Sequence, residues 1–205
     1  MLISGECMPS LYLNGDFLME LLELKYAELA KKLKTKVCET EHLLVRPYQD
    51  SDADGLFELF HDKNTMRMDG DLPIMEKNEE FVRRINFVKE GPLIWFFSEE
   101  RENRDFVGYV MLQDEGDAIA LGFAITVGKQ HHGYGYEMLK AVIDTLFDNN
   151  VKEIRLKTWE MNLPCQKLAE KLGFEKVDVI KGDHKDSFTG EISDCFLYSL
   201  TNSFI

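Results

Sequence analysis

Positive charge is in deficit in this chain. It has 24 lysines and arginines against 37 aspartates and glutamates, a formal net charge of -13. A surface of that sign repels nucleic acid and anionic membrane, so neither is an expected partner, and it tolerates or attracts a cationic substrate. Long apolar runs are also missing: none approaches the roughly 20 residues of a membrane helix. The opening MLISGECMPSLYLNG carries no basic leader, and Glu6 and Asp16 break up any apolar core, so no secretory signal is expected. Cysteine is confined to Cys7, Cys38, Cys165 and Cys195, far apart and without CxxC or Cys/His spacing. Reduced thiols and a cytoplasmic location are the simplest expectation. There is no internal repeat, low-complexity tract or linker. What is present, 44% hydrophobic residues over 205 positions, suits one soluble domain with a sizeable core.

Hydrophobic spacing gives the element order. Asp16 to Lys36 reads as an amphipathic helix with Leu18, Leu22, Leu29 and Leu33 inward and Asp16 as N-cap. The expectation is a helical extension over residues 1–40, packed on the domain that follows at 41–205 or else offered to a partner. LLVRPY (Leu43 to Tyr48) reads as a strand ended by Pro47. DSDADGLFELF reads as a helix burying Leu56, Leu59 and Phe60, and EKNEEFVRRINFVKEG as a second helix stopped by Gly91. PLIWFFSEE, DFVGYVMLQDEG and AIALGFAITV read as three successive strands, the last apolar enough to be central. A helix over Tyr136 to Asn149, the strand KEIRLKTW, the helix in NLPCQKLAEKLGF and the closing strands EKVDVIKG and ISDCFLYSLTN complete the chain. The strand–helix–strand passage through 118–158 predicts a parallel crossover. The expected fold class is α/β, a mixed sheet with helices on both faces.

The passage that carries chemistry is VGKQHHGYGYEML, Val127 to Leu139. Gly133 and Gly135 sit between a strand and a helix, where free N–H groups and the helix dipole favour an anion. Both glycines are expected to use dihedrals closed to other residues and to let a bulky phosphate come close. A P-loop would need GK[ST], yet Tyr136 and Glu137 follow Gly135. A dinucleotide loop would need glycine where Met138 stands. Neither motif fits.

What fits is Q-x-x-G-x-G over Gln130 to Gly135 after a long central strand, with NLPCQKLAEKLGF (Asn162 to Phe174) downstream and LLVRPYQDSDADGLFELF upstream. This resembles the GCN5-related N-acetyltransferase (GNAT) family over roughly residues 42–200. Arg46-Pro47 with Asp52 and Asp54 is similar to its ribosomal-protein N-terminal acetyltransferase-like (RimJ/RimL-like) branch. The resemblance implies a GNAT fold with a mostly antiparallel sheet and two splayed central parallel strands; the extra N-terminal helix read from the spacing lies outside the resemblance. It implies acetyl-CoA as cosubstrate. The pantetheine would pair with backbone at Ile125, Thr126 and Val127, and the N–H groups from His131, His132, Gly133, Tyr134, Gly135 and Tyr136 after Gln130 would hold the pyrophosphate. Asn162 would contact the pantetheine or substrate.

The reaction so implied is direct attack of a primary amine on the thioester carbonyl, with no metal. Adjacent His131 and His132 cannot both turn to one ion, and no third ligand lies near. The family's usual glutamate before the Gly-aromatic pair is Ala120 here, which leaves the base open. Glu160 is a candidate relay, or an exposed turn acid. Cys165, three residues after Asn162, stands where the branch often has serine. It is a candidate acid for the departing thiolate, or a small residue that makes room. The acids of Asp69-Gly70-Asp71 are candidates to grip a cationic amine, or solvated loop acids. Trp95, Phe96 and Phe97 are core residues or a substrate wall. The expected acceptor is a peptide or protein N-terminus. Alternatives are a small cationic amine (polyamine, aminoglycoside or amino acid), or a catalytically weak acyl-CoA-binding module. Monomer and homodimer both remain open.

Overall fold

The computed structural model describes residues 24–116 and 118–202, with side chains from residue 27 onward. Asp16, Leu18 and Leu22, the first half of the expected N-terminal helix, lie outside the described residues. The described helix is α1, Leu24–Leu33, with Lys31 and Lys32 in its last turn. It is followed by β1 (Cys38–Glu39), β2 (Leu43–Arg46), a 3-10 turn at Asp50–Asp52, α2 (Ala53–His61), α3 (Lys63–Met68) and α4 (Glu79–Glu90). Then come β3 (Ile94–Glu100), β4 (Phe106–Asp114), β5 (Ile119–Ile125), a 3-10 turn at Val127–Lys129, α5 (Tyr134–Asp148), β6 (Glu153–Trp159), α6 (Leu163–Lys171), β7 (Glu175–Lys185) and β8 (Ile192–Thr201).

The eight strands form one sheet in the order β1-β2-β3-β4-β5-β6-β8-β7. Every pairing is antiparallel except β5 with β6. Strand alternation feeds two cores, because successive side chains point to opposite faces. On β3, Ile94 and Phe96 join one core while Trp95 and Phe97 join the other. The first core holds Leu33 of α1, the stripe Met138, Leu139, Val142, Ile143 and Leu146 of α5, and Ala169 of α6. The second holds Leu56, Leu59 and Phe60 of α2, Met66 of α3, and Phe81 and Val88 of α4. Helices therefore cover both faces. Each fully buried aliphatic of the α5 stripe contributes about 1.5–3 kcal/mol. Trp95, Phe96 and Phe97 are core residues.

Several details depart from expectation. The short α3 was not legible as a helix, and β1 adds an unexpected edge strand. The division at residue 40 falls between two paired strands, because Cys38 and Glu39 pair with Val45 and Leu44. Helix α5 starts at Tyr134 rather than Tyr136, so Gly135 lies inside its first turn.

Under β2 sits a buried charge network. Arg46 donates to both oxygens of Asp52, each at 2.8 Å, and to Glu99 Oε2 at 2.6 Å, with all three residues at or below 5% exposure. The paired carboxylates raise the Arg46 pKa further above its ordinary value against the cost of burial. Removing one partner of such a set leaves a buried charge uncompensated, which costs about 3–5 kcal/mol. Here it locks the start of α2 to the end of β3.

Candidate active site

Two parallel strands that pair over only part of their length must leave a gap. Between β5 and β6 the registered pairs are Ile119 with Ile154 and Ala120 with Arg155, at the start of β5. Beyond them a cavity of about 800 Å³ opens, lined by Leu121 to Ile125 on one wall and Leu156, Lys157 and Thr158 on the other. This is the splay implied by the resemblance. It gives β5 an unpaired edge inside the molecule, where backbone donors and acceptors need a partner.

At Ile125, Thr126 and Val127, the expected pantetheine contacts, some backbone groups already have partners. The Thr126 N–H donates to the Val107 carbonyl at 2.9 Å, and its hydroxyl reaches the same oxygen at 3.2 Å. The Ile125 carbonyl accepts from the Gln130 side chain at 3.1 Å. Val127 already belongs to the 3-10 turn and accepts from the Gln130 N–H. Thr126 is thus turned to β4, while Ile125 and Val127 on either side of it line the cavity.

At the mouth, the cavity meets the start of α5. Gly133 is its N-cap with φ 87°, and His131 also has positive φ, 63°. A turn of this kind, at the start of a helix, can present successive N–H groups to an anion with the helix dipole behind them. The first-turn acid of α5, Glu137, is turned away: its carboxylate accepts from the His42 N–H at 2.7 Å, from His42 Nδ1 and from Thr40. The positive end of the dipole is left for a ligand. Gly135 does not use the dihedrals expected of it, although it lines the cavity. Its φ is not in the left-handed region, and an added Cβ would stand 3.2 Å from Leu168 Cδ2. Its small size is required for close contact between α5 and α6.

Not every residue of the motif faces the cavity. Gln130, His131, Gly133, Gly135 and Tyr136 line it, whereas His132 and Tyr134 do not. His132 stacks on the Tyr134 ring at 5.7 Å. The Tyr134 hydroxyl donates to Glu100 at 2.7 Å, and Lys129 with Tyr134 holds the Glu100 carboxyl down at about 2. These side chains anchor the turn to the end of β3. Lys171 lies over the Tyr136 ring at 4.5 Å, and both line the cavity, which puts a cation beside the turn.

Deeper in, Asn162 caps α6 and its side-chain oxygen accepts from the Cys165 N–H at 3.3 Å. This leaves its amide N–H₂ for another partner. Pro164 sits in the first turn, where its missing donor costs nothing. Asn162 and Cys165 both line the cavity. Burial pushes the Cys165 thiol up to about 11, with a polar contact to Thr158 offsetting part of that. Glu160 is not brought to the site. It lies in the turn after β6, its backbone paired with Asp194 and Gln166, and it does not line the cavity.

On the opposite side the cavity is closed by Asp62, Asn64, Thr65, Met68 and Asp69, all on or beside the α3 that sequence periodicity did not reveal. Ala120, the position of the missing glutamate, also lines the cavity. Asp69 is half-buried. Desolvation first, then the charge of Asp71, raises its carboxyl to about 7, against the pull of Arg84. No group of three metal-ligating side chains occurs among the described residues. Nor is any helix among them long and apolar enough to cross a membrane.

The arrangement is a through-cleft with an anion seat at one end and acids at the other. The sequence model of the family described as Acetyltransferase (GNAT) domain matches residues 42–175. A comparison with curated proteins gave no match. Among solved structures the fold is similar to an acetyltransferase (GNAT family) from Bacillus anthracis. That protein is 20% identical, with a TM-score of 0.70 over 81% of this chain and 98% of its own. A ribosomal-protein-S5-alanine acetyltransferase from Vibrio fischeri is 19% identical, TM-score 0.65, over 82% and 98% of the two chains. Spermidine N-acetyltransferase from Vibrio cholerae, in complex with CoA and spermine, is 17% identical, TM-score 0.70, over 80% and 98%.

Proposed function

The chain belongs to the GNAT acetyltransferase family, and we propose that it transfers the acetyl group of acetyl-CoA directly to a primary amine, with a peptide or protein N-terminus as the acceptor. The observation that carries this reading is the gap between β5 and β6, open from Leu121 onward and continuous with the turn at Gly133. The pyrophosphate of acetyl-CoA fits that turn, with Lys171 nearby. The pantetheine runs along the free edge of β5, and the thioester reaches Cys165 and Thr158. The acceptor enters past α3.

The chain's own residues then have defined tasks. The cleft holds the thioester carbonyl within reach of the amine, which converts a two-body encounter into an oriented attack. The amine nitrogen forms a bond to the carbonyl carbon, the carbon–sulfur bond breaks, and CoA leaves as thiolate. Cys165 donates a hydrogen bond to that sulfur. Because burial keeps it a thiol, it does not act as a nucleophile.

A second reading, a small cationic amine as acceptor, is favoured by the net charge of -13 and by Asp62 and Asp69 at the acceptor end. Thiol release from acetyl-CoA across a panel of peptides, polyamines, aminoglycosides and amino acids separates the readings. Turnover with unblocked peptides but not N-acetylated ones is expected. Turnover confined to small amines supports the second reading. Tight CoA binding with no turnover on any amine rejects both and leaves an acyl-CoA-binding module.

A further inference from the structure

We infer that Asp69 is the base of the reaction: its carboxylate takes the proton that the acceptor amine must lose, in place of the acid absent at Ala120. This rests on the proposed acetyl transfer and adds to it a named group.

Three carboxylates line the cavity: Asp62, Asp69 and Glu115. Two are engaged. Asp62 caps α3, accepting from the Thr65 N–H at 2.7 Å, and Glu115 is paired with Arg155 at 3.4 Å. The Asp69 carboxylate has no hydrogen-bond or ion-pair partner among the described residues, although it is half-buried and lines the same space as Cys165. An unpartnered carboxylate beside apolar walls is costly unless it has a task.

The surroundings hold it in place. Asp69 ends α3, and its N–H donates to the Thr65 carbonyl at 3.0 Å. Met66, fully buried, fixes α3 to the sheet. Asp71 is bound by Arg84 of α4 at 2.5 Å, and its carbonyl accepts from the Ser187 hydroxyl at 2.9 Å. Arg67 grips Asp186 with two hydrogen bonds, at 2.6 and 2.8 Å. The segment from Arg67 to Asp71 is therefore pinned to α4 on one side and to the β7–β8 turn on the other. The charged or titratable groups that act on Asp69 are Asp71, Arg84 and Tyr109 of β4. Asp62, Glu115, Arg155 and Lys157 share its cavity.

Protons balance as follows. An acceptor arriving as R–NH₃⁺ gives one proton to Asp69, which passes it to water. The free amine forms the C–N bond and the C–S bond breaks. The second proton leaves the nitrogen and ends on the CoA sulfur. The products are R–NH–acetyl, CoA thiol and one released proton. Asp69, raised to about 7, lies roughly one pH unit below a peptide α-ammonium but more than three below a lysine-like ammonium.

The test is kcat against pH, from about 5.5 to 9, with acetyl-CoA and an acceptor peptide both saturating. Wild type should rise through an apparent pKa near 7, since only the unprotonated carboxylate accepts a proton. Asp69→Asn should lose that rise and fall about 100-fold or more, with CoA affinity within about twofold of wild type. Asp69→Glu, which keeps a carboxylate, should retain the rise at a reduced rate. If Asp69→Asn keeps both the rise and its rate within about threefold, or if both variants lose CoA affinity, the inference is overturned while the proposed function stands. If wild type binds CoA but turns over no amine, the proposed function fails and this role fails with it.

Discussion

A cysteine in the first turn of a helix ordinarily has a depressed pKa, because the dipole favours its thiolate. Cys165 stands in that position, yet burial dominates and pushes it up to about 11. Full proton transfer to a CoA thiolate of ordinary thiol acidity would be uphill by roughly two pH units. The role proposed for the side chain is therefore a hydrogen bond to the leaving sulfur, not proton transfer. Cys165→Ala should lower kcat by about tenfold, the worth of one such bond, while Cys165→Ser stays within about threefold. Steady-state thiol release reads both, and an unimpaired Cys165→Ala would remove Cys165 from the reaction. This position was legible in the sequence because α6 is a local element with a local cap. Asp69 was legible only as one of two acids in a loop. The flanking Arg67 and Asp71 are held by Asp186, Arg84 and Ser187, which no local pattern connects. Glu160 was the reverse: close to the site in sequence, but turned out of it by the backbone pairing of its turn with Asp194.

At the scale of elements, the two glycines that look alike in the sequence separate by task. Gly133 has φ 87° and nothing within 4 Å of where a Cβ would stand, whereas Gly135 is held by the approach of Leu168. An alanine at 133 clashes with nothing but pays about 1–2 kcal/mol for left-handed backbone. Gly133→Ala should weaken CoA binding by roughly tenfold, as read by calorimetry, with the α5–α6 contact unchanged. Unaltered affinity would mean the turn does not hold the pyrophosphate. Long periodic helices and the apolar strands were legible because one face of each is buried. Helix α3 was not. It has six residues, KNTMRM, and only Met66 is buried, too few positions for a period to register. At the end of β5 the sequence did not show that Thr126 turns its N–H to Val107. Alternation shows where a strand runs but not where its N–H groups turn to a neighbour.

At the scale of the whole molecule, one sheet with a single parallel pair creates the cleft, and the helices on its two faces supply its ends. Helix α5 brings the anion seat from one core, and α3 brings the acids from the other. The described part of the N-terminal segment belongs to this body, with Leu33 buried at 1% in the first core and β1 on the sheet edge. The central claim is that an amine attacks acetyl-CoA directly inside this cleft. Its most direct measurement is rapid-quench mass spectrometry with trideuteroacetyl-CoA and an unblocked peptide. The account predicts that the label appears on the peptide α-nitrogen in step with free CoA, with none on Cys165 at any time. Label accumulating on Cys165 before reaching the peptide, or no transfer at all from a fully bound acetyl-CoA, would contradict it.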